Sequence, residues 1–341
     1  MEFNYIITKE LIRALLAIAS LEERLKGLSL SPALRTSLYQ DAKIRTSHFS
    51  SKIEGNCLTL KQTEDVFKQK HIQAPKRDIQ EVKNLFDLFD FLIAESMHPE
   101  KITSKTICTL HRYVEKNIVK GRLLGRYREA QNAIFDSATS RVIYMPPETT
   151  DIPTLMDQFL NILSGSGWEH ELIRSAVAHF GLVTIHPFMD GNGRTARALS
   201  TLLLMQSGFQ FVRYMAWDEY FYLHRNQYYN LLHAAQGDNY YERNGRWDIQ
   251  AWVEFFILGI EQTIGNFLEQ IGATQQPAVL NVRQEKALRF MKRKGRITNR
   301  EYRELNKVSN FTALSDLQSM EEQGLAERIG KGRAVQYLLK K

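Results

Sequence analysis

The sequence predicts a mostly α-helical protein with one β-hairpin and a small second domain at its C-terminal end. Three observations predict it: apolar residues recur at helical spacing through most of the first 268 positions, two short apolar runs flank a polar turn, and composition changes abruptly at Gly272. A chain of 341 residues with 43% hydrophobic composition has room for two or more domains and a substantial core.

Leu11, Leu15, Ile18 and Leu25 mark an N-terminal helix, and Ile79, Val82, Leu85, Phe86, Phe89 and Leu92 mark another. Ile102 to Val114 and Leu155 to Leu163 continue the pattern. Between them Gly125-Arg126-Tyr127-Arg128 leads into Ala130 to Phe135, a polar turn from Asp136 to Ser140, and Arg141 to Met145 before Pro146-Pro147, which reads as a hairpin. After a short loop, Ser164 to Gly167, a helix runs from Ile173 to Ile185 with Ile173, Ala176, Val177, Phe180 and Val183 on its apolar positions. A further helix spans about Arg194 to Met205, and the last of this part spans Trp247 to Leu268. The chain has no internal repeat and no low-complexity tract.

Periodicity stops at Gly272 to Pro277, where residues become small and polar. The domains expected are a helical region over 1–100, a core over 101–271, a linker over 272–280 and a tail domain over 281–341. The tail holds fifteen Lys and Arg against seven Asp and Glu, a net +8 against +7 for the whole chain, so the rest carries about −1. That asymmetry points to a local anionic partner of the tail. Gln284 to Met291, Thr298 to Leu305 (Thr298 as N-cap, Glu301 three residues on) and Ser309 to Gln323 read as helices, the third stopped by Gly324. Leu325 to Ile329, the turn Gly330-Lys331-Gly332-Arg333 and Ala334 to Leu339 form a hairpin with a basic tip.

No run of eighteen apolar residues exists, and Met1-Glu2-Phe3-Asn4 lacks the start of a signal peptide, so the sequence predicts a soluble, cytoplasmic chain without a membrane partner. Cys57 and Cys108 fit neither a metal-ligand spacing nor a disulfide framework, in keeping with a reducing compartment.

The segment His186-Pro187-Phe188-Met189-Asp190-Gly191-Asn192-Gly193-Arg194-Thr195-Ala196-Arg197 packs a base, a carboxylate, a glycine loop and two arginines into twelve residues. A loop turning through Gly191 and Gly193 gathers backbone N–H groups into one concavity, and the helix that follows adds the positive end of its dipole. Asp190 at the rim suits Mg²⁺ held against phosphates, Arg194 and Arg197 project from the first helical turns, and His186 is positioned to take a proton from a hydroxyl.

Every defined position of this segment resembles the Fic motif, His-x-Phe-x-(Asp/Glu)-Gly-Asn-Gly-Arg-x-x-Arg. The resemblance implies transfer of AMP from ATP to a hydroxyl side chain of a target protein, with His186 as base and Asp190 on Mg²⁺. It further implies that Gly191, Asn192 and Gly193 contact phosphates, that Arg194 holds the outer phosphates, that Arg197 meets the γ-phosphate, and that Phe188 packs. Ser50-Ser51-Lys52-Ile53-Glu54-Gly55 resembles the family's inhibitory motif through Ser50, Glu54 and Gly55. There the glutamate pairs with the second motif arginine, here Arg197, in the γ-phosphate's space, and a bidentate Arg–carboxylate pair suits a plug. In some relatives this glutamate also supports AMP removal. Apart from the resemblance, the same residues also read as a Ser N-cap and an exposed Glu near a Gly helix end.

By the same resemblance the hairpin corresponds to the flap, whose Val142, Ile143 and Tyr144 would pair with the target backbone; a structural hairpin over the core is the alternative. Arg225 to Tyr229 and Ala234 to Asp238 follow the family's pattern near the adenine, which would bring Tyr228, Tyr229 and Gln236 to ATP, although Asn is the family's usual residue where Gln236 stands. The two tyrosines read equally well as packing residues.

The tail resembles a winged helix-turn-helix, with Val308 to Leu317 as its turn and recognition helix. Asn310, Thr312 and Ser315 would then face the bases of duplex DNA, and Lys331 and Arg333 its phosphates. Such domains also serve protein docking or dimerisation, so a homodimer is the competing partner. Two functions from different classes follow: a protein adenylyltransferase restrained by Glu54, or a DNA-binding regulator whose Fic-like domain senses nucleotide. The presence of His186 favours the first, since a sensor needs no base. Gly193 disfavours Doc-type phosphotransfer, because those relatives carry Lys there.

Overall fold

The computed structural model describes residues 1–28, 30–97, 100–135, 141–165, 167–275, 280–322, 325–330, 332 and 335–339. The chain divides into two units, Met1–Glu269 and Gln270–Lys341.

In chain order the first unit holds β1 (Glu2–Asn4), α1 (Lys9–Lys26), α2 (Pro32–Ile53), α3 (Leu60–Phe67), α4 (Lys76–Ser96), α5 (Ser104–Glu115), β2 (Ile134–Phe135) and β3 (Val142–Tyr144). It continues with α6 (Ile152–Ser164), α7 (Glu171–Ile185), α8 (Asn192–Gln206), α9 (Asp218–Leu223), α10 (Arg225–Gln236), β4 (Arg246–Asp248) and α11 (Gln250–Gln275), whose last residues pass the unit boundary.

At the centre lie α7 and α8, packed on each other. Every residue of α7 except Glu171 and Arg174 is buried, as expected of a helix apolar on all sides. Ser200 of α8 donates to the Ser175 carbonyl of α7 at 2.9 Å, a hydrogen bond inside this central pair.

The 22-residue α2 has no counterpart in the periodicity of the sequence. Its start is well signalled, by Ser31 accepting from the Leu34 N–H at 3.2 Å and by Pro32 in the first turn. Its last turns, however, bury Ser47, His48, Ser50 and Ser51 along with Phe49 and Ile53, so no apolar stripe exists to be read.

Three further departures concern short or glycine-containing segments. Trp247, expected to open the last core helix, lies in β4, which pairs in parallel with β1 through Phe3↔Trp247; a three-residue strand is too short to show a period. Helix α11 starts at Gln250 and runs through Gly272 to Gln275, into the predicted linker, because one interior glycine costs only about 1 kcal/mol. The rest of that linker, 276–279, lies outside the described residues. The hairpin pairs only Ile134↔Tyr144 and Phe135↔Val142; its turn, 136–140, also lies outside the described residues.

The second unit contains α12 (Val282–Lys294), β5 (Arg296–Thr298), α13 (Asn299–Asn306), α14 (Asn310–Glu322), β6 (Ala326–Ile329) and β7 (Gln336–Leu339). Its antiparallel sheet has the order β5-β7-β6, with β5 absent from the sequence reading. Capping boxes at Asn281/Gln284 and Thr298/Glu301 start α12 and α13. Met291, Ile297, Tyr302, Leu317 and Tyr337 fill its core. Asp316 on α14 accepts from Arg283, Asn281 and Tyr302 at 2.7, 2.9 and 2.9 Å, so its buried charge is fully solvated by donors.

Candidate active site

Helix α7 ends on His186, which takes the left-handed conformation with φ 51° and ψ 55°. Its Nδ1 lies 3.1 Å from the Val183 carbonyl, a contact that requires a proton on Nδ1 and leaves Nε2 with a lone pair. Desolvation pushes the His186 pKa down to about 4, with Arg128 adding to the effect, so the ring is a neutral base at pH 7. Arg128 is buried and donates from Nε to the His186 carbonyl at 3.0 Å, from Nη1 to Gln131, and from Nη2 to the Pro147 carbonyl. One side chain thus ties the catalytic loop to both arms of the hairpin.

The loop is stitched from within. Asn192 accepts from the Phe188 N–H at 2.9 Å and donates to the Phe188 carbonyl at 2.8 Å. Its buried side chain therefore closes the turn. Phe188 stacks on His111 at 3.9 Å between centroids. His111 accepts at Nδ1 from the Gly125 N–H, which fixes Nε2–H as the donor to the Asp190 carbonyl 3.1 Å away.

Gly191, at φ 75°, precedes α8, and no side chain caps that helix. Its first-turn N–H groups thus lack intrahelical acceptors and point into the loop's concavity. A Cβ on Gly191, at positive φ, would meet buried Glu115 Oε1 at 2.4 Å, so that position needs glycine, while one on Gly193 would meet the solvent-open Glu54 Oε1 at 2.3 Å.

The two arginines of α8 turn to different partners. Arg194 is 3% exposed, with Nη2 2.8 Å from Glu115 Oε1 and Nη1 3.4 Å from Glu81 Oε1, yet its Nε and Nη1 have no aligned hydrogen bond among the described residues. Glu115 is wholly buried with both oxygens likewise unaligned, and burial drives its pKa up to about 7 against the pull of Arg194. Arg197 is 1% exposed; Nε donates to Ser50 Oγ at 2.9 Å, and Nη2 donates to the Ser50 carbonyl and Glu54 Oε1, each at 2.8 Å. Ser50 lies in the last turn of α2, Glu54 at its C-cap and Gly55 follows at φ 95°. Unlike the arginine it contacts, Glu54 is open to solvent.

Asp190 Oδ1 accepts from the Gly191 N–H at 2.7 Å, and Oδ2 lies 2.5 Å from Arg77 Nη2. Burial alone would raise its pKa, but Arg194, Arg77 and the Gly191 N–H hold it below the usual carboxylate value. Among the described residues no group of three or more His, Cys, Asp or Glu could hold a metal. Mg²⁺ nevertheless fits here in the way it accompanies nucleotides, on one ionised carboxylate plus phosphate oxygens and water. The unpaired Arg194 donors and the uncapped helix start supply what the phosphates would need.

The other residues expected at the ligand have partners of their own. Tyr228 is 2% exposed within an aromatic cluster, its hydroxyl 3.1 Å from His179 Nε2, and buried Gln236 donates to Thr184 Oγ1 at 3.0 Å. Both find hydrogen-bond partners inside the protein. Tyr229 is exposed and donates to the Ile53 carbonyl at the end of α2 at 3.0 Å. On β3, Val142 and Ile143 are exposed, whereas Tyr144 is buried and donates to the Thr184 carbonyl at 2.8 Å. In the second unit Asn310 and Ser315 are exposed, while Thr312 is half buried with its N–H on Ser309 Oγ; Lys331 and Arg333 lie outside the described residues. Arg77, Glu81, His111, Glu115 and Arg128 were missed as site residues. Each is a lone polar residue on or beside a helix, distant in sequence from the motif, and carried no local signal.

An uncapped glycine loop between two buried helices, with a neutral histidine on one side and buried arginines on the other, defines a phosphate-handling helical domain. Residues 101–204 match the Fic/DOC family model. Curated relatives include two proteins named Protein adenylyltransferase Fic: that of Drosophila grimshawi, 30% identical over 74% of this chain and 49% of its own length, and that of Nematostella vectensis, 30% identical over 67% and 49%. This chain therefore spans about half the length of the curated relatives it matches. Among solved structures, a Fic family protein from Desulfovibrio desulfuricans shares the fold with a TM-score of 0.70 at 24% identity, over 99% of this chain and 98% of that one. Fic-1 from C. elegans does so with a TM-score of 0.62 at 24% identity, over 77% and 73%. Residues 101–204 therefore form a Fic/DOC family domain. No helix among the described residues is long and apolar enough to cross a membrane.

Proposed function

We propose that this chain is a protein adenylyltransferase that moves AMP from ATP to a hydroxyl side chain of a target protein and is restrained by Glu54. The observation that carries the reading is the tautomer of His186: with Nδ1 held by the Val183 carbonyl, Nε2 is a free base beside an anion cradle. In the step proposed, the target oxygen attacks the α-phosphorus and its proton passes to His186 Nε2. The bond from the α-phosphorus to the bridging oxygen breaks, and pyrophosphate leaves. Mg²⁺ bound at Asp190 would neutralise charge on the phosphates. The first-turn N–H groups of α8 and the Arg194 donors would orient the chain of phosphates. Arg197 would meet the γ-phosphate only after Glu54 gives up its Nη2 hydrogen bond.

Incubation with ATP labelled in the adenosine moiety and Mg²⁺ tests the reading. Label should appear on the protein itself or on a target in lysate, more of it with Glu54→Gly and none with His186→Ala. Absence of label from both wild type and Glu54→Gly would leave nucleotide sensing as the better account.

For the second unit we propose a winged helix that binds duplex DNA. Its helix and strand order, its net charge of +8 over 281–341 and the exposure of Asn310 and Ser315 support this.

A further inference from the structure

The metal-site carboxylate already has a cation on it. Arg77 Nη2 lies 2.5 Å from Asp190 Oδ2, and Arg77 Nε donates to Glu81 Oε1 at 3.0 Å. Arg77 stands in the first turn of α4, where the helix dipole disfavours a positive charge, so helix stability does not explain it. Its side chain is 57% exposed and free to swing into solvent, while Glu81 is nearly buried. Glu81 holds three groups together: Arg77, Arg194 at 3.4 Å, and Asn56, whose Nδ2 donates to Oε2 at 2.9 Å. Asn56 follows Glu54 by two residues. All three motif charges are thus matched from the N-terminal helices and α5: Asp190 by Arg77, Arg194 by Glu81 and Glu115, and Arg197 by Glu54.

We propose that Arg77 is a positioning residue that acts as a counter-ion gate for the metal, neutralising Asp190 until a divalent cation displaces it. This rests on the reading of Asp190 as the Mg²⁺ carboxylate. Two cations cannot share the Oδ2 lone pairs without strong repulsion, so metal entry requires Arg77 to leave. Without metal, the same guanidinium screens Asp190 from the phosphates, which would otherwise face a like charge. Arg77 therefore has opposite effects on the two forms of nucleotide. It favours binding of metal-free nucleotide and raises the concentration of Mg²⁺ needed for the metal-bound form.

Calorimetric titration of the full chain with α,β-methylene ATP, in EDTA and at increasing Mg²⁺, reads both effects without turnover. With Arg77→Gln, affinity in EDTA should fall, while the Mg²⁺ concentration for half-maximal binding should drop by up to about fivefold, the scale of a partly exposed ion pair. Arg77→Lys keeps the charge and should stay near wild type in both. A structural role would weaken binding in EDTA and in Mg²⁺ alike, and that outcome, or an unchanged Mg²⁺ requirement in Arg77→Gln, overturns the gate. Asp190→Ala serves as the control. If it abolishes the Mg²⁺ dependence while Arg77→Gln changes nothing, the gate alone fails; if it leaves that dependence intact, the reading of Asp190 fails and the gate with it.

Discussion

The chemistry of the proposed reaction turns on one imidazole whose neutral form is enforced by its surroundings. Because burial lowers the His186 pKa to about 4, the base is already unprotonated well below neutral pH. The rate of AMP transfer should therefore be insensitive to this group above about pH 5.5 and fall only as pH drops through about 4; a midpoint near the ordinary histidine value would contradict the burial argument. His186→Ala should lower the transfer rate by about 10²–10⁴-fold while nucleotide affinity, supplied by the loop and Arg194, stays within a few-fold in titration. Glu54→Gly should raise the initial rate by about a hundredfold, the cost of a misplaced reacting centre. An unchanged initial rate would refute the plug, and comparison with the final yield separates faster transfer from lost AMP removal. At this scale the motif was legible because its twelve residues lie in one loop and one helix turn, where spacing alone dictates proximity. The five groups that hold the motif in place were not, since only the folded helices bring Arg77 or Glu115 to it. Tyr228, Asn192 and Gln236 each have a hydrogen-bond partner inside the protein, as buried polar side chains usually do.

Helix α7 was readable because burial on every side leaves a nearly continuous apolar signature, and α2 was not, because it buries three serines and a histidine among its apolar residues. The turn between α7 and α8 depends on its glycine. Gly191→Ala sets a side chain at φ 75° against Glu115, which is itself buried, and should destabilise the protein by about 1–3 kcal/mol. Urea unfolding measures this, and an unchanged midpoint would mean that Glu115 can move aside. Arg128 plays the matching part for the hairpin, since three of the carbonyls it serves belong to the loop and to the two arms of that hairpin. Each strand of the hairpin has only two or three residues, too little ladder to hold itself.

For the whole molecule, charge is divided as sharply as structure. The near-neutral first unit and the +8 tail were separable from composition, as was the presence of a second folded unit; the strand β5 that completes its sheet was hidden in three residues before a helix cap. If the tail binds duplex DNA, gel shifts of the full chain should show binding at low salt that weakens by about a thousandfold between 50 and 200 mM. No shift at 50 mM salt would favour protein docking, for which Phe311, 82% exposed on α14, is the natural anchor.

The order of residues along the first unit has a consequence in time. Glu54 precedes Arg197 by 143 positions, so a ribosome finishes the plug long before the socket. Strand β4, which pairs with β1, follows both residues in the chain, so Glu54 and Arg197 have both been made before that pairing can form. A newly made molecule therefore has its carboxylate available from the moment its arginine is made.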